Sequence, residues 1–210
     1  MSSLVPVISA QLKSMIKEDM HKSIILVTGL IFVTANAFAS PRTLLPAESQ
    51  IEFTVKEMGV PVIGVFKQFD AAIDINPAKP EKSHADLRID IGSLTTGNEE
   101  ADAIAVAPEW LDKTHTPYAT FKSVSIRALG GGDYEAHGTL TIRDQKRDII
   151  VKFRSVDVSG GKTIITGDFI VKRSEFGIGG GVWNEGGIVA EDIPVKVRLT
   201  LALTATLVNP

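Results

Sequence analysis

Cysteine is absent from the 210 residues, and histidine occurs only four times. Without cysteine, an exported form of the chain holds its fold without disulfides and carries no acylated amino-terminal cysteine. Beyond the first forty residues the histidines are His84, His115 and His137, each on a different predicted element. No pair has the i, i+4 spacing of a zinc helix and no H-E-x-x-H occurs, so no metal or redox cofactor is expected. A nucleophile elbow of the form G-x-S-x-G is missing as well. "SGGKT" at 159–163 lacks the first glycine of a phosphate loop, because Val156 stands there, and reads as a hairpin turn. "GIGGGVW" at 177–183 ends on Val182 where a dinucleotide fingerprint needs glycine, and no βαβ unit surrounds it. Asp86 and Asp90 share one strand face with Arg88 and alternate with Leu87 and Ile89, the pattern of a solvated sheet face. The chain is not expected to be an enzyme.

Long apolar runs are also scarce. One stands out, "SIILVTGLIFVTANAFA" at 23–39, preceded by Lys22 and closing on Ala37-Phe38-Ala39. A basic flank, a short apolar stretch and small residues at −3 and −1 describe a secretory signal peptide cut between Ala39 and Ser40. The run is short for a membrane span, which needs about 20 apolar residues; an uncleaved anchor is the alternative. The stretch before Met20 is unlike a usual leader, so Met15 or Met20 is a candidate start. Residues 1–39 are therefore read as leader and 40–210 as one domain destined for the periplasm. Lys13, Lys17, Lys22, Glu18 and Asp19 fall in the leader, leaving 19 basic and 23 acidic residues of the original 22 and 25, a net charge of −4. That balance, with no basic stripe, argues against a nucleic-acid partner.

Period-two alternation fills the rest. Val195, Val197, Leu199, Leu201 and Leu203 alternate with Lys196, Arg198, Thr200 and Ala202. In "EAHGTLTIRDQKRDIIVKF", Ala136, Gly138, Leu140 and Ile142 share a side, and a charged break leads to Ile149, Val151 and Phe153. Such alternation predicts half-buried strands, here near 50–56, 65–76, 84–92, 118–128, 133–143, 147–157, 162–173 and 192–206. "NEEADAIAVAPEWLDKTHTPY" interrupts them with a short helix near 100–112. About eight antiparallel strands with one helix predict an all-β barrel or sandwich, and the long strands favour the barrel.

The inward positions pose a question. Phenylalanine recurs along the strands at Phe53, Phe66, Phe69, Phe121, Phe153, Phe169 and Phe176, with Trp110 and Trp183 at the edges. Val55, Ile73, Leu87, Ile89, Leu140, Ile142 and Val151 share those inward faces, but so do Ala71, Ser123, Ala136, Gly138 and Gly167. Small inward residues either let elements approach closely or leave space. The residues alone allow a packed core or a cavity.

Three stretches carry a resemblance. "LPAESQIEFTVKEMGVPVIGVFKQFDAAIDI", "TPYATFKSVSIRALGGGDYEAHGTLTIRDQKRDIIVKF" and "GDFIVKRSEFGIG" are similar to the YceI-like family of exported polyisoprenoid-binding proteins, over essentially all of residues 45–206. The resemblance implies a lipocalin-like antiparallel barrel whose cavity holds an isoprenoid lipid or isoprenoid quinone without covalent attachment. It makes Phe53, Val55, Phe66, Phe69, Ile73, Leu87, Ile89, Trp110, Phe121, Leu140, Ile142, Val151, Phe153, Phe169 and Phe176 the candidate cavity wall. A membrane cytochrome b-type partner is implied by some members, and an accessory role beside such a protein is the alternative to a free carrier. Where many members carry histidine this chain has Glu48, Glu57 and Ile104, so no histidine contact to a head group carries over.

Overall fold

The computed structural model describes residues 42–184 and 188–203. The apolar leader, the Ala39–Ser40 junction and residues 204–206 of the last predicted strand lie outside them. Strands are β1 (Arg42–Leu44), β2 (Gln50–Glu57), β3 (Val60–Phe66), β4 (Phe69–Asp74), β5 (His84–Asp90) and β6 (Leu94–Thr95). After helix α1 (Glu99–Ala105) come β7 (Tyr118–Gly130), β8 (Asp133–Ile142), β9 (Gln145–Val158), β10 (Lys162–Lys172) and β11 (Asp192–Leu203).

All pairings are antiparallel, in the order β4-β5-β7-β8-β9-β10-β11-β2-β3-β6. The two ends of this order meet through the chain itself. β3 pairs with β2 and β4 pairs with β5, yet only Lys67 and Gln68 separate them. At that corner the Asp90 amide donates to Gln68 O at 3.0 Å and the Lys67 amide to Ser93 O at 3.2 Å. β1 continues the row of β2 along β11, opposite Leu201–Leu203, while β2 lies opposite Val195–Arg198. Counted around the ring, β1 with β2, β3 with β4 and β5 with β6 are three bent staves, so the eleven strands make a barrel of eight.

The predicted 65–76 strand is corrected accordingly. Its break at Lys67–Gln68 is where the chain changes partners, and residues 60–64 belong to a strand not foreseen. β2 turns into β3 through Met58 and Gly59, both at positive φ (47° and 84°), a hairpin geometry usually announced by Asn-Gly. Pro61 is tolerated because β3 touches β6 only at Val65 and Phe66 and is otherwise an edge. The short strands β1 and β6 were likewise not foreseen.

The helix is shorter than the predicted 100–112. Asn98 caps it, its side-chain oxygen accepting from the Glu100 and Ala101 amides at 3.0 and 3.2 Å. It ends at Ala105, ahead of Pro108, which cannot extend the helical hydrogen-bond ladder. Inward parity follows the alternation: in β8, Tyr134, Ala136, Gly138, Leu140 and Ile142 are buried, while His137 is exposed.

Candidate functional site

The barrel interior is incompletely filled. An outer chamber of about 230 Å³ lies beneath α1, between β2, β3 and the ends of β8, β10 and β11. An inner chamber of about 90 Å³ lies deeper, among β5, β7, β8, β9, β10 and β11. Val195 belongs to both walls, and Phe53 is its partner across the ladder. The inner wall has no polar side chain. In the outer wall only Glu57, Thr96, Arg173 and the indoles of Trp110 and Trp183 carry polar atoms. Both walls are therefore overwhelmingly apolar, with Glu57 the single carboxylate among them.

Glycines explain how phenylalanine-rich strands leave this space. Gly64 lies opposite Phe53, and a Cβ there would fall 2.2 Å from Phe53 Cζ. Gly138, paired with Ser123, lies diagonally beneath Phe121, and a Cβ there would fall 2.5 Å from Phe121 Cζ and 2.6 Å from the Lys122 carbonyl oxygen. Each ring lies over the neighbouring strand instead of standing in the lumen.

The outer chamber is closed by two indoles and braced by two arginines. Trp110 and Trp183 meet edge to face with centroids 5.4 Å apart. The buried Arg173 guanidinium donates to the carbonyls of Ile178, Gly179, Trp183, Ala190 and Val189 at 2.9–3.3 Å. Arg143 reaches the carbonyls of Pro108 at 2.9 Å, Glu109 and Gly177. Asp102 anchors α1 by accepting from Thr95 Oγ1 at 2.7 Å, Thr96 Oγ1 at 2.7 Å and the Thr96 amide at 2.6 Å. The Thr96 hydroxyl is the largest influence holding the Asp102 carboxyl below its usual range, against the opposing effect of burial.

Thirteen of the fifteen candidate wall residues line a chamber. Phe53, Val55, Phe66, Trp110 and Ile142 line the outer one. Ile73, Leu87, Ile89, Phe121, Leu140, Val151, Phe153 and Phe169 line the inner one. Phe69 and Phe176 do not. Phe69 begins β4 just past the corner and packs in the core. Phe176 lies in the single turn after β10, which ends on Gly177 in the left-handed region and tucks the ring into the second core cluster.

Sequence reading missed Gly64, Arg173 and Val189 as parts of the site. Among the histidine-replacing positions, Glu57 and Ile104 are the exposed members of the outer wall and so mark its mouth. Glu48 lies elsewhere, paired with Lys162 at 2.6 Å. The three histidines are exposed, and two have partners: His115 with Asp112 and His137 with Glu135, each at 2.9 Å. Among the described residues no group of three or more His, Asp or Glu is placed to hold a metal.

Comparison with known proteins agrees with this architecture. A YceI-like domain matches residues 43–201. A UPF0312 protein of Vibrio cholerae is 27% identical over 138 residues, 63% of this chain and 73% of its own. BcnA of Burkholderia cenocepacia superposes with a TM-score of 0.72 at 31% identity, covering 75% of this chain and 98% of that one. A polyisoprenoid binding domain of Saccharophagus degradans shares the fold with a TM-score of 0.64 at 15% identity, over 79% of this chain and 99% of its own. With the domain match spanning nearly every described residue, the chain belongs to the YceI-like family.

Proposed function

We propose that this protein is a periplasmic lipid carrier, holding an isoprenoid lipid or isoprenoid quinone in its two chambers. The observation that carries the reading is the apolar cavity itself: an inner wall without a polar side chain, adjoining at Val195 an outer chamber whose exposed wall members are Glu57 and Ile104. Each methylene removed from water is worth about 0.8 kcal/mol, so an aqueous carrier must cover most of a long tail. A barrel lumen does this on all sides. The polyisoprenoid binding named for the Saccharophagus domain concerns that protein, and the shared fold makes the same ligand class reasonable here. Export through the 23–39 run would place the barrel between two membranes. The tail would occupy the inner chamber, with the head group near Glu57, and no catalysis or resident cofactor is required.

Native mass spectrometry of the protein purified from its own periplasm tests this. A co-purifying polyprenyl or quinone mass at one per chain is expected. Protein that is empty and instead retains a membrane cytochrome would overturn the carrier reading in favour of an accessory role.

A further inference from the structure

Apolar side chains that the fold leaves in water gather at the mouth of the outer chamber. Met58 is 76% exposed, Val60 63%, Ile104 40% and Ile188 36%. They come from three separate segments and converge. The Met58 amide donates to Ile188 O at 2.7 Å, and Glu57 pairs with Val189 in an isolated bridge. Glu57, Val62, Ile104 and Val189 line the chamber directly below. The turn that presents Met58 and Val60 is a solvent-facing position where polar residues and glycine ordinarily stand. Single exposed apolar residues are ordinary, but a cluster continuous with an apolar cavity is an interaction surface.

We infer that the Met58–Val60 turn, with Ile188 and Ile104, is a membrane-docking rim that seats the cavity mouth on a lipid bilayer. This rests on the proposed function: a ligand of that class resides in a bilayer, because its free concentration in water is negligible. The rim adjoins Ile104 and Val189 in the chamber wall, with Glu57 the one charged group at the mouth, so docking gives the tail a largely apolar path out of the bilayer. Charged residues near the rim in sequence, Lys56, Glu57, Glu99 and Glu100, number one basic and three acidic, so no basic patch draws the rim to anionic lipid. Attachment therefore depends on apolar insertion, and anionic lipid opposes it to an extent that salt screens. Four modest side chains hold a bilayer briefly, which suits a carrier that must leave again.

The test uses the protein in the amino-terminal form its cells produce, compared with a Met58→Ser, Val60→Ser, Ile188→Ser variant. Ile150→Ser, on the outer face of β9, serves as control. Uptake of a long-chain isoprenoid quinone is followed by quenching of tryptophan fluorescence. It is offered either in detergent micelles or in phosphatidylethanolamine–phosphatidylglycerol vesicles. The rim variant should bind from micelles like the wild type but extract from vesicles roughly tenfold more slowly, the factor that 1.4 kcal/mol represents. The control should match the wild type in both. An unchanged vesicle rate in the rim variant overturns the inference. So does loss of micelle binding in that variant with its fold intact, since the rim would then belong to the ligand site. Wild-type protein that takes quinone from micelles but never from vesicles overturns it too, and points to delivery by a protein partner. Binding from neither source removes the proposed function itself, and the rim with it.

Discussion

Gly64 faces Phe53 across the β2–β3 ladder, and replacing it with alanine isolates one physical effect. A Cβ at this position would meet Phe53 Cζ at 2.2 Å, Cε1 at 2.6 Å and Cε2 at 2.8 Å, and no backbone atom is among its nearest contacts. Carbon pairs are comfortable at about 3.5–4.0 Å, so the ring must retreat by at least about 1.3 Å from its 2.2 Å contact. Phe66, with its centroid 5.4 Å away, flanks it on the same wall. The direction left is into the outer chamber. Backbone considerations alone predict the opposite outcome. Gly64 does not use positive φ, so alanine there should stabilise by about 0.4–1 kcal/mol through the unfolded chain. Overpacking should instead cost about 1–3 kcal/mol, and the sign of the change decides between the two. Ligand binding should weaken further. A ring displaced into the chamber that excludes about three methylenes of ligand forfeits about 2.4 kcal/mol, or about fiftyfold in affinity. The assay is thermal unfolding of delipidated protein together with quinone titration, for Gly64→Ala, Phe53→Leu and the double variant. The double variant should recover most of the loss, giving a coupling energy that separates the ring clash from any effect of alanine itself. A stable Gly64→Ala protein with native affinity would refute the seating of the ring. Equal damage from Gly64→Ala with and without Phe53 would refute it as well.

Two further outcomes follow from the same geometry. Leu140, buried on the inner wall, should accept tryptophan with little change in ligand-free melting temperature while binding falls, because the indole fills the inner chamber; Thr141→Trp, on the opposite face, should leave binding unchanged. Melting of delipidated Leu140→Trp lowered by the equivalent of about 1–3 kcal/mol with binding intact would mean a packed core at that point. Asp102 has a folded-state pKa below its ordinary value, so its stabilising contribution is fully present above about pH 4 and lost as pH falls through the lowered value. Asp102→Ala should therefore cost about 1 kcal/mol at pH 7, allowing for solvent screening, and the gap from wild type should be smaller at pH 3. A gap of the same size at both pH values would contradict this.

How much of the fold could be read from the sequence depended on whether an element obeys a period. β8, β9 and β11 alternate cleanly, so the inward placement of Leu140, Ile142, Val151 and Phe153 was legible before any coordinates. β3 was not, because Val60, Pro61, Val62 and Ile63 are apolar on both faces. Ile63 is 56% exposed on that edge strand, and alternation has nothing to register there. Phe69 and Phe176 belong to the wall that the resemblance implies, but not to the wall of either chamber. Each sits where the chain leaves a regular strand, at the Lys67–Gln68 corner and in the turn after β10, and strand parity does not extend through such places. Arg173 was illegible for another reason. Its carbonyl partners lie between residues 178 and 190, in a segment without periodicity, and a cationic side chain after a strand reads as solvent-facing until those acceptors are seen.

The small inward residues show the limit most clearly. Sequence reasoning offers two uses for them, close approach or empty space, and treats them as alternatives. At Gly64 and Gly138 both hold at once. The neighbouring strand's phenylalanine approaches so closely that a Cβ would overlap it, and because the ring lies down there the lumen stays open. A barrel can thus bury Phe53, half-bury Phe121 and still present their faces as the wall of a cavity. Whether a phenylalanine fills a barrel or lines it is decided by the residue it lies over on the next strand, so the informative unit is the cross-strand pair, directly opposite for Phe53 with Gly64 and diagonal for Phe121 with Gly138. That pair becomes visible only once register is known.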